Sequence, residues 1–204
     1  QKLIQEDRAY YCYCSPERLE AMREAQRAQG QMAGYDRRCR DLTKKERAAH
    51  EAAGVRPVIR LKVPLEGQTS FTDVIRGAIT VENSQLDDMV LLKSDGFPTY
   101  HLANVVDDHL MEISHIMRAD EWLPSVPKHI MLYEAFGWEP PIMAHLPVIL
   151  DPSGKGKMSK RRKRVGDEEH YVLLREFRRA GYLPEALFNF LALVGWSLDD
   201  RTQI

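Results

Sequence analysis

Apolar and polar positions fall into helical and strand-like periods, and each stretch predicts an element. Residues 15–31 carry few apolar side chains, with Leu19 and Met22 facing inward. A solvated helix is expected there, with Ser15 as N-cap, Pro16 at the first helical position and Glu17 in the first turn. Residues 44–53 read as a second short helix ended by Gly54. Residues 57–63 alternate apolar and basic side chains, which fits a half-buried strand. Residues 71–81 read as strand, turn and strand, and 89–93 as a further strand closed by the turn Ser94-Asp95-Gly96. Residues 99–107 predict a helix with His101, Asn104 and Val105 near one face. Residues 111–117 are apolar enough for a buried strand, with Arg118 at its carboxyl end. A helix over 125–136 with Pro127 in its first turn, a strand over 144–150, and helices over 168–180 and 184–194 complete the pattern. Gly195 caps the last helix, and no internal repeat or low-complexity tract occurs.

The second half therefore alternates helix and strand, which implies an α/β fold with a doubly wound parallel sheet. Ligands of such sheets sit beyond the carboxyl ends of the strands. Arg118 and the segment around Lys157 each follow a predicted strand at that end, and Tyr100, His101 and Asn104 approach from the neighbouring helix. Arginine presents a fork of donors that matches a carboxylate or phosphate. The set fits an anionic small molecule and a nucleotide. A lone arginine at a strand end is also a common surface ion pair, and His101 and His115 read as structural.

Composition narrows the class. The chain has 204 residues, 44% hydrophobic and 29% charged, as an ordinary soluble globular protein of one or two domains has. A net charge of −1 means that nucleic-acid affinity has to come from local patches. No apolar run approaches the ~18 residues of a membrane span. The segment from Gln1 to Asp7 resembles neither a signal peptide nor a natural start, and the segment from Ser197 to Ile204 follows an apolar helix without an evident finish, so the expectation is a chain cut at both ends.

The most concentrated chemistry is the run from Gly154 to Arg164, in which Lys155, Lys157, Lys160, Arg161, Arg162, Lys163 and Arg164 crowd a loop punctuated by Gly154 and Gly156. A mobile cationic loop at a strand end suits phosphate chemistry, where positioning and charge stabilisation do most of the work. On charge alone, a solvated basic run or an address signal is the more natural reading.

Three cysteines fall within the first 39 residues and none follow. An odd, clustered set is not a disulfide framework. Cys12-x-Cys14 with Tyr35-x-x-x-Cys39 reads as a small metal knuckle, since thiolates at i and i+2 face one ion across a turn and a distant cysteine closes the shell. The fourth ligand stays open among Tyr35, Asp41 and His50. Three reduced cysteines beside a surface hairpin are the plain alternative.

Taken together these segments resemble a known family. Lys157-Met158-Ser159-Lys160-Arg161 matches the second signature of the bacterial glutamyl-tRNA synthetases, which are class I aminoacyl-tRNA synthetases. The stretch from Asp95 to His109 matches their glutamate-pocket segment, and Arg118-Ala119-Asp120-Glu121-Trp122 matches the strand end and turn that reach substrate and ATP. Gly181-Tyr182-Leu183-Pro184-Glu185-Ala186-Leu187 and Leu193-Val194-Gly195-Trp196-Ser197 resemble the start of the stem-contact domain. The cysteine knuckle resembles that of the zinc-bearing members, in which a later histidine often completes the site; here Asp41 stands in its place. The resemblance covers essentially the whole chain.

That resemblance implies a central fragment: residues 1–7 ending the first half of a Rossmann-type domain, 8–93 an inserted α+β acceptor-binding domain, 94–165 the second Rossmann half, and 166–204 the start of a helical stem-contact domain. It implies Tyr100, Asn104 and Arg118 for glutamate, and Glu121, Trp122, Lys157, Met158, Ser159, Lys160 and Arg161 for ATP with Mg²⁺. Lys157 and Lys160 would be catalytic, offsetting charge on the departing pyrophosphate. Cys12, Cys14, Tyr35 and Cys39 would hold Zn²⁺. Arg37, Arg38, Arg40, Lys44, Lys45 and Arg47 form a local patch for tRNA phosphates. A cytoplasmic monomer with tRNA, glutamate and ATP as partners is implied, with no membrane. The family's first signature, a His-Ile-Gly-His-like element, is nowhere among these residues, so the fragment alone is expected not to activate glutamate. Rival readings are a paralogue that glutamylates a modified tRNA base of the queuosine type, and a non-catalytic tRNA-binding module.

Overall fold

The computed structural model describes residues 1–151, 156–159 and 171–194. In chain order the elements are α1 (Lys2–Gln5), β1 (Ala9–Cys12), α2 (Pro16–Ala28), α3 (Lys44–Ala52), β2 (Val58–Leu61), β3 (Gln68–Asp73), β4 (Gly77–Glu82), β5 (Val90–Leu92), α4 (Tyr100–Leu110), β6 (His115–Ala119), α5 (Val126–Phe136), β7 (Ile142–Leu146), α6 (Leu174–Arg179) and α7 (Pro184–Ala192). They form two compact units. One takes Gln1–Phe71, Ala78–Ser114 and Ser125–Pro141; the other takes Thr72–Gly77, His115–Pro124 and Ile142–Ile204.

The first unit is built on an antiparallel sheet in the order β1-β2-β5, with Ala9 opposite Leu61 and Cys12 opposite Val58. β1 carries no alternation in sequence because three of its four residues are buried. α4 packs on α5 and β5. Leu61, Val63, Leu91, Val105, Leu132 and Tyr133 are at most 2% exposed and centre this core. α5 is buried nearly all round, and Gly137 ends it in the left-handed conformation at φ 72°.

The helix starts follow the sequence signals. Ser15 Oγ accepts from the Arg18 amide, Pro16 opens α2, and Thr43 forms a reciprocal capping box with Glu46 at α3. Leu19 and Met22 pack inward on the cysteine cluster.

The second unit carries parallel pairing. β6 runs parallel to β7 over its whole length, with Arg118 opposite His145, and Asp73 at the end of β3 bridges Met143 of β7. This is the parallel α/β pairing that the alternation of helix and strand implied.

Boundaries moved for identifiable reasons. The strand expected over 144–150 is β7 at Ile142–Leu146, because Pro147 brings no N–H to the ladder. The strand expected over 111–117 is β6 at His115–Ala119. Residues 111–113 instead close α4: the Met111 amide donates to the Asp107 carbonyl, Ile113 donates to Asp108, and Glu112 turns to φ 55°. Arg118 thus lies inside its strand, one residue before the end. The helix expected over 168–180 is α6 at Leu174–Arg179, with residues 168–170 outside the described set. Gly195 and the rest of the chain after Val194 also lie outside it.

Candidate functional site

In the second unit Arg118 meets Trp122, and Glu121 meets Lys157. Arg118 leaves β6 with its guanidinium 5.6 Å from the Trp122 ring centre, within cation–π range. Its Nε–H donates to His145 Nε2 at 3.0 Å. His145 in turn meets Asp73, with Nδ1 2.6 Å from Asp73 Oδ2 and its backbone amide donating to the same oxygen at 3.0 Å. Asp73 Oδ1 also accepts the amides of Ile75 and Arg76, which folds the turn after β3 around the carboxylate. Burial works against the Asp73 charge, yet the His145 side chain and these amides hold its carboxyl below the usual range.

Glu121 and Lys157 meet at 2.5 Å, both substantially exposed. Lys157 sits on a short antiparallel bridge to Leu150, supported by the Met158 amide donating to Ile149 and the Asp151 amide donating to Gly156. Gly156 takes φ 76°, which explains a glycine at that turn. Met158 and Ser159 follow, half-buried. Gly154, Lys155, Lys160 and Arg161 lie outside the described residues.

Tyr100 and Asn104 belong to the first unit, on the first turn and a half of α4. Tyr100 is 50% exposed. Asn104 Nδ2 donates to Asp108 at 2.9 Å, and its Oδ1 is buried with no protein partner among the described residues. His101 Nδ1 lies 2.9 Å from Nε2 of the buried His129, a pair inside the unit's own packing.

Also in the first unit, Cys12, Cys14 and Cys39 converge with all three sulfurs within 4.8 Å of one another. The Tyr35 hydroxyl completes the group, 3.2 Å from Cys12 Sγ and 3.4 Å from Cys14 Sγ, and accepts from the Cys39 amide. A hydrogen bond from Cys39, with Tyr35 and Arg60 alongside, holds the Cys12 thiol well below its usual range against the effect of burial. The same bond and burial push Cys39 up. Three thiols converging on one point suit a tetrahedral thiophilic ion such as zinc, while a phenol oxygen is a weaker fourth ligand than the Cys or His that zinc prefers. Asp41 is exposed and does not enter the cluster. His50 stacks on Tyr13 instead, at 4.8 Å between ring centres. A cleft of about 460 Å³ lies over Cys14 and Cys39, walled by Arg18, Arg38, Glu46 and His50.

Two expectations for cations need correcting. Arg60 does not point to solvent from an alternating strand; it is 4% exposed and lies 3.8 Å over the Tyr35 ring. Arg37 and Arg40 are not simple members of a phosphate patch. Both bind Asp88, a fully buried carboxylate that also accepts from Tyr10 at 2.7 Å. A buried carboxylate without counter-charge is expensive, so it draws both arginines inward. Arg47 donates to the Leu42 carbonyl, while Arg38, Lys44 and Lys45 remain exposed.

The sequence reading missed Asp73, Asp88 and His145. Asp73 and His145 each had a signal: Asp73 falls on the buried face of an alternating strand, and His145 interrupts the apolar run Ile142-Met143-Ala144.

The family model for tRNA synthetases class I (E and Q), catalytic domain, matches residues 1–204. The chain belongs to that family. This synthetase chain is 54% identical over 206 aligned residues to the glutamate–tRNA ligase of Dehalococcoides mccartyi (strain CBDB1), covering 100% of the chain and 39% of that relative. It is 50% identical to the glutamate–tRNA ligase of Borrelia recurrentis (strain A1), again covering 100% of the chain and 39% of the relative. Among solved structures, the glutamate–tRNA synthetase of Elizabethkingia anophelis superposes with a TM-score of 0.81 at 38% identity, covering 100% of this chain and 45% of that one. A glutamate–tRNA ligase from Elizabethkingia meningosepticum, solved in complex with its amino acid, gives the same TM-score and identity over 44% of its length. The synthetase chain thus spans about two fifths of the length of these curated relatives. No described helix is long and apolar enough to cross a membrane.

Proposed function

We propose that the protein carrying these residues activates glutamate with ATP and transfers it to the 3′ end of tRNA. The observation that carries the reading is the match to glutamate–tRNA ligases along the whole chain at 54% identity. The chemistry of the placed residues supports it. Arg118 offers the bidentate fork that a carboxylate takes. Asn104 carries an amide and Tyr100 a phenol on the first turns of α4, groups that can hydrogen-bond an amino acid.

Glutamate's α-carboxylate attacks the α-phosphorus of ATP, forming an acyl–phosphate bond as the α–β phosphoanhydride breaks and pyrophosphate leaves with the electron pair. The terminal ribose hydroxyl of tRNA then displaces AMP from the carbonyl. Lys157 and Lys160 stabilise the charge on the departing pyrophosphate, with Met158, Ser159 and Arg161 completing that loop on ATP. Trp122 and Glu121 serve the nucleotide side, and the Glu121–Lys157 pair poises the loop before ATP arrives. Mg²⁺ accompanies the triphosphate as part of the substrate.

The same reading assigns residues 8–93 to binding the tRNA acceptor end, 94–165 to the nucleotide-binding half-domain and 166–204 to the start of stem contact. Cys12, Cys14, Tyr35 and Cys39 would hold Zn²⁺ there, and the ion would cross-link the two segments of the knuckle. The protein acts in the cytoplasm as a monomer.

The test is glutamate-dependent ATP–pyrophosphate exchange and tRNA charging by a full-length enzyme that contains these residues. Exchange with glutamate, followed by a charged glutamate acceptor, is expected. Glutamate transfer only to a modified tRNA base would favour the paralogue, and tRNA binding without exchange would leave a binding module.

A further inference from the structure

Asp73, His145 and Arg118 form a chain of contacts that the proposed reaction does not by itself require. Asp73 is 1% exposed and His145 fully buried, and they come from different strands. Arg118 and His145 are directly opposite each other on the parallel strands β6 and β7, where side chains of a pair share a face. Arginine has donors only, so the 3.0 Å contact from Arg118 Nε makes His145 Nε2 the acceptor. The ring proton then resides on Nδ1, where Asp73 Oδ2 receives it at 2.6 Å. The carboxylate therefore sets the tautomer, and the tautomer decides whether His145 can accept from the arginine.

We infer that Asp73 and His145 are positioning residues for Arg118, orienting its guanidinium for the glutamate carboxylate by gripping it at Nε. The inference rests on the reading of Arg118 as the carboxylate binder. It involves no proton transfer, since a guanidinium does not give up its proton in the working pH range. Asp73 has the orienting part that a carboxylate plays toward a histidine in hydrolase triads, but the histidine here presents a lone pair to a cation. Pinning Nε fixes both the reach and the plane of the fork, and so reduces the side-chain freedom lost when substrate binds. A merely architectural Asp73–His145 bond would tie β3 to β7 without involving the arginine.

Asp73→Asn is the decisive variant. Both Asp73 oxygens already accept N–H groups, so an amide places a donor where an acceptor is needed. The histidine proton is then driven to Nε2, where it faces the Arg118 N–H. In the full-length enzyme, the KM for glutamate should rise about 10-fold or more while the KM for ATP stays unchanged, the scale of one hydrogen bond to a charged group. In an Arg118→Ala background the same change should add nothing further. H145A should behave like D73N, and H145Q should recover much of the lost glutamate affinity, because a glutamine amide both donates and accepts. Equal rises in both KM values, or a full additional effect of D73N on top of R118A, overturn the inference. If R118A itself leaves the glutamate KM unchanged, the reading of Arg118 fails instead. Should D73N not fold, ¹⁵N NMR of histidine in the wild-type enzyme decides: His145 should show a protonated Nδ1 and an unprotonated Nε2, and the opposite tautomer or a doubly protonated ring refutes the claim.

Discussion

The Tyr35 hydroxyl lies 3.2 Å from Cys12 Sγ and 3.4 Å from Cys14 Sγ, beside three cysteines brought together from segments 25 residues apart. It occupies the place that Asp41 and His50 were also candidates to fill. The phenol is buried and bonded to the Cys39 amide, so it is pre-positioned rather than recruited. Full-length protein purified without chelator should carry one zinc per chain, read by elemental analysis. Tyr35→Phe should weaken zinc in chelator competition by at least about 10-fold, the least that even losing a group that only supports the ligands costs, and Asp41→Ala should leave it unchanged. Equal affinities in all three proteins would remove Tyr35 from the site.

Asp88 organises the segment that presents the knuckle. It is fully buried and takes Arg40 at 2.9 Å, Tyr10 at 2.7 Å and the Val63 amide at 3.2 Å. Asp88→Ala strands Arg40 and Tyr10 in a low-dielectric site and should cost about 3–5 kcal/mol in denaturant unfolding. Lys44→Ala, on an exposed side chain, should change stability by less than about 0.5 kcal/mol.

The exposed cations predict a salt effect. Arg38, Lys44 and Lys45 remain at the surface while Arg37 and Arg40 are committed to Asp88. Replacing the three exposed residues should flatten the dependence of tRNA affinity on salt, by up to about 0.7–0.9 in log–log slope for each phosphate no longer neutralised. An unchanged slope would remove this face from tRNA binding.

Asp73 predicts acid sensitivity of a definite sign. Its folded carboxyl is held below the ordinary range, against burial, chiefly by His145 and then by the turn amides. A depressed carboxylate adds stability above the unfolded value of about 3.9, and that stability is lost as pH falls through the folded value. Wild-type stability should therefore drop more steeply below about pH 4 than that of D73N. Parallel pH profiles for the two proteins would contradict the assignment.

The loop after β7 predicts a split between catalysis and binding. Lys160→Ala in the full-length enzyme should reduce the activation rate by about 10²–10³-fold while leaving glutamate affinity nearly intact, as expected for a charge used in the transition state. Equal losses in rate and affinity would point to a structural role. Glu121→Ala, which removes an exposed ion pair, should change stability by no more than about 1 kcal/mol.

Much of this was legible in the one-dimensional pattern. The N-cap at Ser15, Pro16 at the start of α2 and the inward pair Leu19 and Met22 rest on neighbours within a few residues, which is the range that periodicity reports. The run Lys157-Met158-Ser159-Lys160-Arg161 marked the chemistry because charge density and glycine spacing are themselves local. The ends of β6 and β7 were less legible, since they were set by how α4 stops and by a missing amide at Pro147.

By itself the sequence determined the family, the alternation of helix and strand, and which side chains have the chemistry for carboxylate, phosphate and thiophilic metal. Tertiary structure alone decided how the cations are used. Arg37 and Arg40 turn inward because Asp88, 51 and 48 residues away, is sealed from water and needs them. Arg118 acquires an orientation because Asp73 and His145, 72 residues apart, are joined in a buried contact beside it. Charge is a property of a residue type, but its pairing depends on which distant groups share a dry site, and no spacing along the chain encodes that.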